Sequence, residues 1–462
     1  MAQYLAGFLE RFAMTECNQQ RFGFQVEESR QVVGEFNGGA MSSDGGLMLL
    51  REFERQFGVT KRFACCFVDH RRQEQVEYSV EALVAQRIYA LCAGYEDLND
   101  HDALRTDPII RLAVGDELAG RHTLNRVENS KVGQAKHHRY CKVEVIPAAV
   151  EQFFVKEYLR AIRSAPKEII IDADANDVTL YGKQEQRHFH AFYGEYCYLP
   201  LSFYAGDHLL FTKLRPSDID ASLGTVEALQ IIVPKIRRRF PKARIILRGD
   251  SAFAREEIMA HCEANGIEYV LGLAKNQRLT AKIADELNKA QRLYSESGKS
   301  ARVFTEFRHE TLESWSRKRR VIAKAEHLEK GANPRFIVTS LKRSQRRAIE
   351  LYEELYCARG DMENRIKEQL QLFSDRLSVH TFEGNTLRHY FSAVAYVLMA
   401  AFRRRALRNT ELARAYFDTI RLKLFKLGAR VLTSVRRVVI QFTESYPFRA
   451  LFADAYRALL SP

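Results

Sequence analysis

The sequence predicts an α/β protein in which a mainly helical N-terminal region precedes a mixed β-sheet flanked by helices. Up to about residue 165 the apolar residues recur at helical spacing, whereas from residue 166 short β-branched runs alternate with amphipathic segments. A chain of 462 residues is longer than one compact core usually spans, so we expect more than one domain. We divide it into residues 1–165, 166–400 and 401–462.

The N-terminal region contains at least three predicted helices. LMLLREFERQFG follows a turn rich in glycine and serine, Ser79 has the position of an N-cap before VEALVAQRIYALCAGY, and a third helix follows Thr123. Several short helices with a basic balance are consistent with a DNA-binding and dimerisation region. They are equally consistent with a plain helical scaffold, because no helix-turn-helix pattern is specific here.

The central region has the predicted order β-β-β-α-β-α-β. Its strands are KEIIIDADAN, YCYLPLSFYAG, HLLFTKLRPS, ARIILRGDSAF and IEYVLGLA, and its helices are ASLGTVEALQIIVPKIRRRF and REEIMAHCEANG. Residues 276–342 then hold a polar helix and alternating segments, which we interpret as a β-rich insertion. A long helix that starts near residue 344 follows the insertion.

Positive charge is concentrated near the C-terminal end. The chain has a net charge of +13 and an isoelectric point near 9.3, and residues 401–462 hold 13 lysines and arginines against four acidic residues. The apolar helix HYFSAVAYVLMAAFRRRAL leads into this basic tail, and we expect residues 401–462 to form a basic, helical C-terminal region. Such an excess of cations suits a partner that carries many phosphates, or an anionic membrane surface.

Membrane proteins and zinc proteins are both disfavoured by the sequence. No stretch approaches the ~20 uninterrupted apolar residues of a spanning helix, and Glu10 and Arg11 interrupt any signal-peptide core. The eight cysteines include no CxxC pair, so no structural zinc is predicted. We expect a cytoplasmic protein without a membrane partner.

Acidic residues follow two of the predicted strands. Asp172 and Asp174 end the first strand and, at i and i+2, point to the same face of the sheet. Asp250 ends a later strand, after Gly249. Nearby carboxylates repel one another, and a divalent cation relieves that repulsion. A solvated acidic loop after the first strand is the alternative interpretation of Asp172 and Asp174.

A third acidic residue lies on the helix that follows the insertion. Tyr356, Arg359, Glu363 and Lys367 fall within an arc of about 80° on a helix that advances about 100° per residue. Alone, this face is typical of a surface ladder of ion pairs. With two strand-end aspartates upstream, it indicates a catalytic face.

Three carboxylates without histidine or cysteine suit magnesium. Two Mg²⁺ ions held ~3.5–4 Å apart activate the attacking oxygen and stabilise the leaving oxygen in phosphoryl transfer, and Mg²⁺ prefers oxygen ligands. We expect two Mg²⁺ ions, with Mn²⁺ able to substitute. Arg359 and Lys367 would then grip the phosphates of the scissile strand.

The segments DADANDVTLYGKQE, RGDSAFAREE, EANGIEYVLGLAKN and YCARGDMENRIKEQ resemble bacterial insertion-sequence transposases, which have an RNase H-like, retroviral-integrase-like DDE domain. The resemblance covers nearly the whole chain, including SSDGGLMLLREFE and GYEDLNDHDALRTDP. It implies that Asp174, Asp250 and Glu363 are the catalytic triad. It also implies that Tyr356 and Arg359 belong to the Tyr-Arg-Glu motif of one branch.

Two positions depart from the family pattern. Asn176 stands where the family has threonine, which leaves Asp172 and Asp174 competing as the first metal ligand. Lys367 is the candidate for the lysine of the motif, although that branch commonly places its lysine farther from the glutamate, where this chain has Leu370.

The resemblance also implies a mechanism and partners. Water attacks the phosphodiester bond at the end of the element, within its terminal inverted repeat, and frees a 3′-OH that attacks target DNA directly. The expected partner is double-stranded DNA, both element ends and target, held by a homodimer in the bacterial nucleoid.

The insertion offers a second candidate DNA contact. Trp315 stands beside the basic run Arg317, Lys318, Arg319 and Arg320. Aromatic rings flanked by cations stack on exposed bases, but packing of Trp315 in the core is the favoured interpretation. Two rival functions remain: an RNase H-like nuclease that cuts without joining, and a catalytically silent DNA-binding protein.

Overall fold

A computed structural model gives the fold and describes residues 21–24, 30–115 and 117–461. The segment with Glu10 and Arg11 lies outside these residues. The N-terminal part is mainly helical, as predicted, with short strands between the helices. Its elements are β1 (Arg21–Gly23), β2 (Val33–Glu35), β3 (Met41–Ser42), α1 (Leu47–Phe57), α2 (Val59–Ala64), β4 (Phe67–Asp69), α3 (Val80–Ala93), α4 (Asp100–Leu104), α5 (Pro108–Val114), α6 (Arg121–Glu128), β5 (Val143–Val145) and α7 (Pro147–Ala161).

The central part is built on one mixed sheet. Its elements are β6 (Glu168–Ala175), β7 (Val178–Thr179), β8 (His188–His190), β9 (Glu195–Tyr198), β10 (Leu201–Ala205), β11 (His208–Lys213), α8 (Thr225–Arg239), β12 (Arg244–Gly249), α9 (Glu256–Ala264) and β13 (Glu268–Leu273). The order β11-β10-β6-β12-β13 runs across the sheet, with β10 and β11 antiparallel to their neighbours and β6, β12 and β13 parallel. The predicted RNase H-like mixed sheet is confirmed. The small sheet β7-β9-β8 interrupts it after β6 and was not predicted separately.

The predicted insertion continues the central sheet. Its elements are α10 (Gln277–Ala281), α11 (Ala284–Ser297), β14 (Ala301–His309), β15 (Arg319–Leu328), β16 (Gly331–Ala332) and β17 (Arg335–Thr339). β17 pairs antiparallel with β13, and β15 and β14 follow outward, so the sheet reaches nine strands. The unpaired edge of β13 explains this arrangement, since a free strand edge accepts further strands.

The segment that carries Glu363 is less regular than predicted. It consists of α12 (Ala348–Glu350), a π-helical stretch at Leu351–Tyr356, a 3₁₀ turn at Cys357–Arg359 and α13 (Gly360–Leu370). The uniform 3.6-residue spacing that put Tyr356 and Glu363 on one stripe therefore does not hold through it. Single π-helical turns inside helices are frequent at functional sites.

The C-terminal part differs from the predicted helical region. It contains α14 (Phe382–Ala406), α15 (Phe417–Ile420), β18 (Ala429–Thr433), β19 (Val438–Phe442) and α16 (Arg449–Leu460). α14 runs through the proposed boundary at residue 400, and β18 and β19 form a hairpin that pairs with β3. The β-branched run VRRVVI favours this hairpin over a helix.

Four hydrophobic clusters hold together the elements of the described residues, and the smallest surrounds Tyr198 beside the sheet β7-β9-β8. The largest joins the N-terminal helices to α14 and the C-terminal elements. A second lies between one face of the sheet and α7, α8 and α9, and a third lies between the other face and residues 348–356. In the part of the chain that is described, no helix combines the length and the apolar content that a membrane span needs.

Candidate active site

Asp174 lies at the end of β6, where the buried strand reaches the edge of the core. Its Oδ2 atom is 3.2 Å from Nη2 of Arg359, and the side chain is 14% exposed. Burial raises the pKa of Asp174, Arg359 opposes that shift, and the charges of Asp250 and Glu363 add to it. The field of two other carboxylates thus reaches Asp174.

Asp250 follows β12 directly. Because β12 is parallel to β6, with Gly249 opposite Ala173, the residue after Gly249 lies beside Asp174. The Asp250 carboxylate accepts a hydrogen bond of 2.9 Å from the Ala252 backbone N–H, which fixes its orientation. A Cβ atom at Gly249 would lie 3.1 Å from the Phe253 ring, so the tight packing there favours glycine.

Glu363 lies in the first turn of α13, and its charge acts on Asp174. Its Oε1 atom is 3.9 Å from Nη1 of Arg359, and the side chain is 58% exposed. On the other side of α13, buried Glu368 forms an ion pair with Arg403 of α14, which fixes the helix against the core. Arg359 therefore lies between Asp174 and Glu363. Asp250, at the end of the neighbouring parallel strand, is near enough for its charge to act on Asp174.

The donor set fits a hard divalent cation, since it offers carboxylate oxygens alone. Within the described residues, however, no three His, Cys, Asp or Glu side chains are close enough together to bind one metal ion. Arg359 stands between Asp174 and Glu363, and its Nε atom is buried without a hydrogen-bond partner among the same residues. The exposed Glu363 side chain has room to rotate toward the aspartates.

Asp172 has a different environment from Asp174. Arg248 of β12 donates to both of its carboxylate oxygens, at 2.5 and 2.8 Å, and to the carbonyl of Leu355. Burial raises the pKa of Asp172, and Arg248 opposes that shift. Asp174 accepts a hydrogen bond from the Ala175 backbone N–H and lies 3.2 Å from Arg359, but the charges of Asp250 and Glu363 also act on it. The bidentate pair with buried Arg248 occupies Asp172 within the core, so the arrangement favours Asp174 as a metal ligand.

A cavity of about 330 Å³ lies beside Asp250. Its walls include Tyr356, Gly272 and the exposed cations Lys275 and Arg335. A Cβ atom at Gly272 would lie 2.6 Å from the Tyr356 hydroxyl, so only glycine leaves the tyrosine its position. Lys367, by contrast, is exposed on α13.

Lys275 and Arg335 were not among the predicted site residues. Lys275 follows β13, the parallel neighbour of β12, and the carboxyl ends of parallel strands meet at one edge of a sheet. That rule was sufficient to find Lys275. Arg335 comes to the cavity only through the pairing of β17 with β13, which no local pattern indicates.

The comparison with known families is decisive for the general activity. The sequence matches the family described as Transposase DDE domain group 1 over residues 24–461. The chain belongs to this family. Its predicted membership of the DDE transposases is thereby confirmed, and transposases of this class use divalent metal ions. The finer assignment to a bacterial insertion sequence stays a prediction.

No curated protein matches the sequence. Among solved structures, the transposase chain is similar to the piggyBac transposase in a synaptic complex with hairpin DNA. The similarity has 9% identity and a TM-score of 0.40, and it covers 82% of this chain and 80% of that chain.

The structure places the insertion residues apart from the three carboxylates. Trp315 is buried in the second core, with the Arg319 guanidinium 5.5 Å from its ring centroid. Arg319 is 2% exposed and pairs with Glu256 and Glu263. Arg320 is buried too and pairs with Glu306. These three residues do not present their side chains to DNA in this structure.

The two remaining cations of the basic run are exposed. The side chains of Arg317 and Lys318 are 65% and 64% exposed, and each lies 3.4 Å from one glutamate. Of the basic run, these two residues are the ones that stay candidates for DNA contact.

Proposed function

We propose that this chain is the transposase of a bacterial insertion sequence, which binds the terminal inverted repeats and catalyses Mg²⁺-dependent DNA cleavage and strand transfer. The observation that carries the proposal is the position of Arg359 between Asp174 and Glu363, with Asp250 at the end of the strand parallel to β6. Three carboxylates from two adjacent strand ends and a later helix are the donor set that two-metal phosphoryl transfer requires. Family membership supports the same reaction class.

The three carboxylates would hold two Mg²⁺ ions, with Mn²⁺ as a substitute. When bound, these ions activate the attacking oxygen and neutralise charge on the leaving oxygen. Arg359 balances part of the carboxylate charge in the structure at hand. Once bound cations neutralise the carboxylates, the Arg359 guanidinium would be free to hold a phosphate of the scissile strand, together with Lys367.

The reaction consists of two displacements at phosphorus. In the first, the oxygen of water bonds to phosphorus and the bond to the 3′ oxygen breaks, which leaves a 3′-OH at the element end. In the second, that 3′ oxygen bonds to a phosphorus of target DNA and releases the 3′ oxygen of the target strand. The number of phosphodiester bonds is unchanged in the second step, so no external energy source is needed.

The partner that this proposal requires is double-stranded DNA in the bacterial cytoplasm. The net charge of +13 supports a polyanionic partner. A homodimer on DNA would hold the two element ends together, as the chemistry of excision demands that both ends be cut.

The test is the substitution Glu363→Gln, assayed on a duplex that contains the inverted repeat flanking the gene. Cleavage should fall about a thousandfold or more, which corresponds to ~4 kcal/mol, while binding to the duplex persists. The matched control is Glu354→Gln, another exposed glutamate of the same segment, which should cleave normally. Cleavage retained by Glu363→Gln would refute the proposed site.

The same assay separates the rival functions. A transposase yields products in which the element end is joined to target DNA. A nuclease of the same fold would give cut ends and no joined product, and a silent DNA-binding protein would bind the duplex without cutting it in Mg²⁺ or Mn²⁺.

A further inference from the structure

A β-hairpin near the C-terminus projects from the body of the protein. It is formed by β18 and β19, which pair antiparallel from Ala429–Phe442 to Thr433–Val438. From Leu432 to Val439 every residue is exposed, and Val435 at the turn is fully exposed. We call residues 432–439 the hairpin tip.

The base of this hairpin is firmly held. β18 pairs with β3 through Ala429 and Ser42, and the Val431 backbone N–H donates to the Ala40 carbonyl at 2.8 Å. At the end of β19, the ring of Phe442 lies 5.1 Å from that of Phe452 on α16. The tip therefore extends from a rigid platform, and it does not hang on a flexible linker.

The tip leaves apolar side chains uncovered on both faces of the ribbon. Leu432, Val438 and Val439 are all exposed, although residues 438 and 439 point to opposite faces. A two-stranded ribbon without a covered face is marginally stable in water. A partner with a groove that encloses the ribbon and covers both faces would stabilise it.

The charge of the hairpin defines the partner further. Arg430, Arg436 and Arg437 lie on it, and no acidic residue occurs between Asp418 and Glu444. Within the described part of the chain, none of the three arginines has a carboxylate partner. Unpaired cations around an apolar ribbon indicate a polyanion with a groove.

We propose that the hairpin tip is a DNA-binding element that enters the major groove of duplex DNA; this rests on the proposed function. A ribbon of two strands about 4.8 Å apart fits a major groove about 12 Å wide, which admits a two-stranded β-ribbon. Arg436 and Arg437 at the turn reach base edges or phosphates, and Val438 and Val439 pack against the groove walls and thymine methyl groups.

A second copy of the chain is a less suitable occupant. In a two-fold symmetric interface the same patch faces itself, so the arginines of one hairpin would meet those of the other. Like charges brought together in this way oppose association. DNA, by contrast, neutralises all three.

The test measures the affinity for a 30-base-pair duplex by fluorescence anisotropy over a range of salt concentrations. The variant R436Q/R437Q removes two exposed charges at the tip, and K289Q/R292Q removes two exposed charges on α11 as the matched control. We expect R436Q/R437Q to bind roughly tenfold more weakly and to lower the salt slope by about 2, since each phosphate contact adds roughly 0.9. The control should bind as the unaltered protein does.

Three outcomes would overturn the inference. If R436Q/R437Q and the control bind the duplex with equal affinity, the hairpin does not contact DNA, and the proposed function is unaffected. Failure of the unaltered protein to bind any duplex overturns both. If Val439→Asp converts a dimer to a monomer in sedimentation without altering DNA affinity, a second copy is the occupant. Thermal melts of each variant show that its fold is intact.

Discussion

The acidic cluster around Arg359 and the basic run around Trp315 both place charged side chains against the same sheet, and they neutralise their charge differently. At the first, Asp174 and Glu363 share one guanidinium, with Asp250 close by. At the second, Arg319 pairs with Glu256 and Glu263 beneath an indole ring, and Arg317 lies 3.4 Å from Glu263, so two arginines face two glutamates. The carboxylates around Arg359 carry more negative charge than this one arginine balances. At Arg319 the charges of the arginines and glutamates balance, and we call this second cluster complete.

This difference separates function from stability. A complete buried ion pair holds the fold, and removal of one partner leaves a charge stranded at a cost of ~3–5 kcal/mol. In an incomplete cluster the repulsion between like charges lowers stability until a cation or a phosphate binds. Such clusters are typical of active sites. Residue type alone, aspartate or arginine, does not tell the two apart.

Asp172 and Asp174 allow the most direct test of this difference, because they are two residues apart on one strand. Asp174→Asn should lower the cleavage rate about a thousandfold or more (~4 kcal/mol), with little change in the free energy of unfolding. Asp172→Asn should lower the free energy of unfolding by about 3 kcal/mol, because Arg248 stays buried without its carboxylate. Urea denaturation and the cleavage assay measure the two effects.

The reverse pattern would contradict this assignment. If Asp172→Asn removed cleavage at unchanged stability while Asp174→Asn kept it, Asp172 would be the first ligand, as the departure at Asn176 leaves open.

The central strands and the acidic residues that end them were predictable from the sequence. Apolar β-branched runs end in Asp174 and Asp250, and the parallel pairing of β6 with β12 then places these two side by side. The partner of Asp172 was not predictable in the same way. Arg248 is 76 residues away, and the alignment of Arg248 with Asp172 is set by the register of the two strands, which a one-residue slip would reverse.

The insertion and the C-terminal hairpin were harder to predict for a related reason. The burial of Trp315 and Arg319 depends on α9, because its Glu256 and Glu263 pair with the Arg319 guanidinium. The hairpin fell within the predicted helical C-terminal region, although its β-branched run VRRVVI is a local signal for a strand. For Arg319, and for the pairing of the hairpin with β3, the deciding contact is with a segment distant in the chain, on which composition carries no information.

Arg319→Met tests the complete cluster. The loss should be about 2 kcal/mol in unfolding free energy, below the full cost of a stranded pair because Glu256 and Glu263 keep some contact with water. DNA affinity should not change. Arg317→Met is the matched control, and its exposed pair with Glu263 should contribute less than about 0.5 kcal/mol. A stability loss confined to Arg317→Met would show that Arg317, and not Arg319, neutralises the partly buried glutamates.

The smallest expected effect belongs to the exposed end of the basic run. Arg317 lies 3.4 Å from partly buried Glu263, and Lys318 lies 3.4 Å from exposed Glu310. Both cationic side chains are mostly exposed, so their charges are available to a phosphate. The variant R317Q/K318Q should weaken duplex binding about threefold and leave the melting temperature unchanged, because surface ion pairs contribute little to stability. Anisotropy titrations at low and moderate salt measure this, with K289Q/R292Q as the control of equal charge change. If R317Q/K318Q binds as the control does, the insertion makes no contact with the duplex, and the complete cluster at Arg319 serves the fold alone.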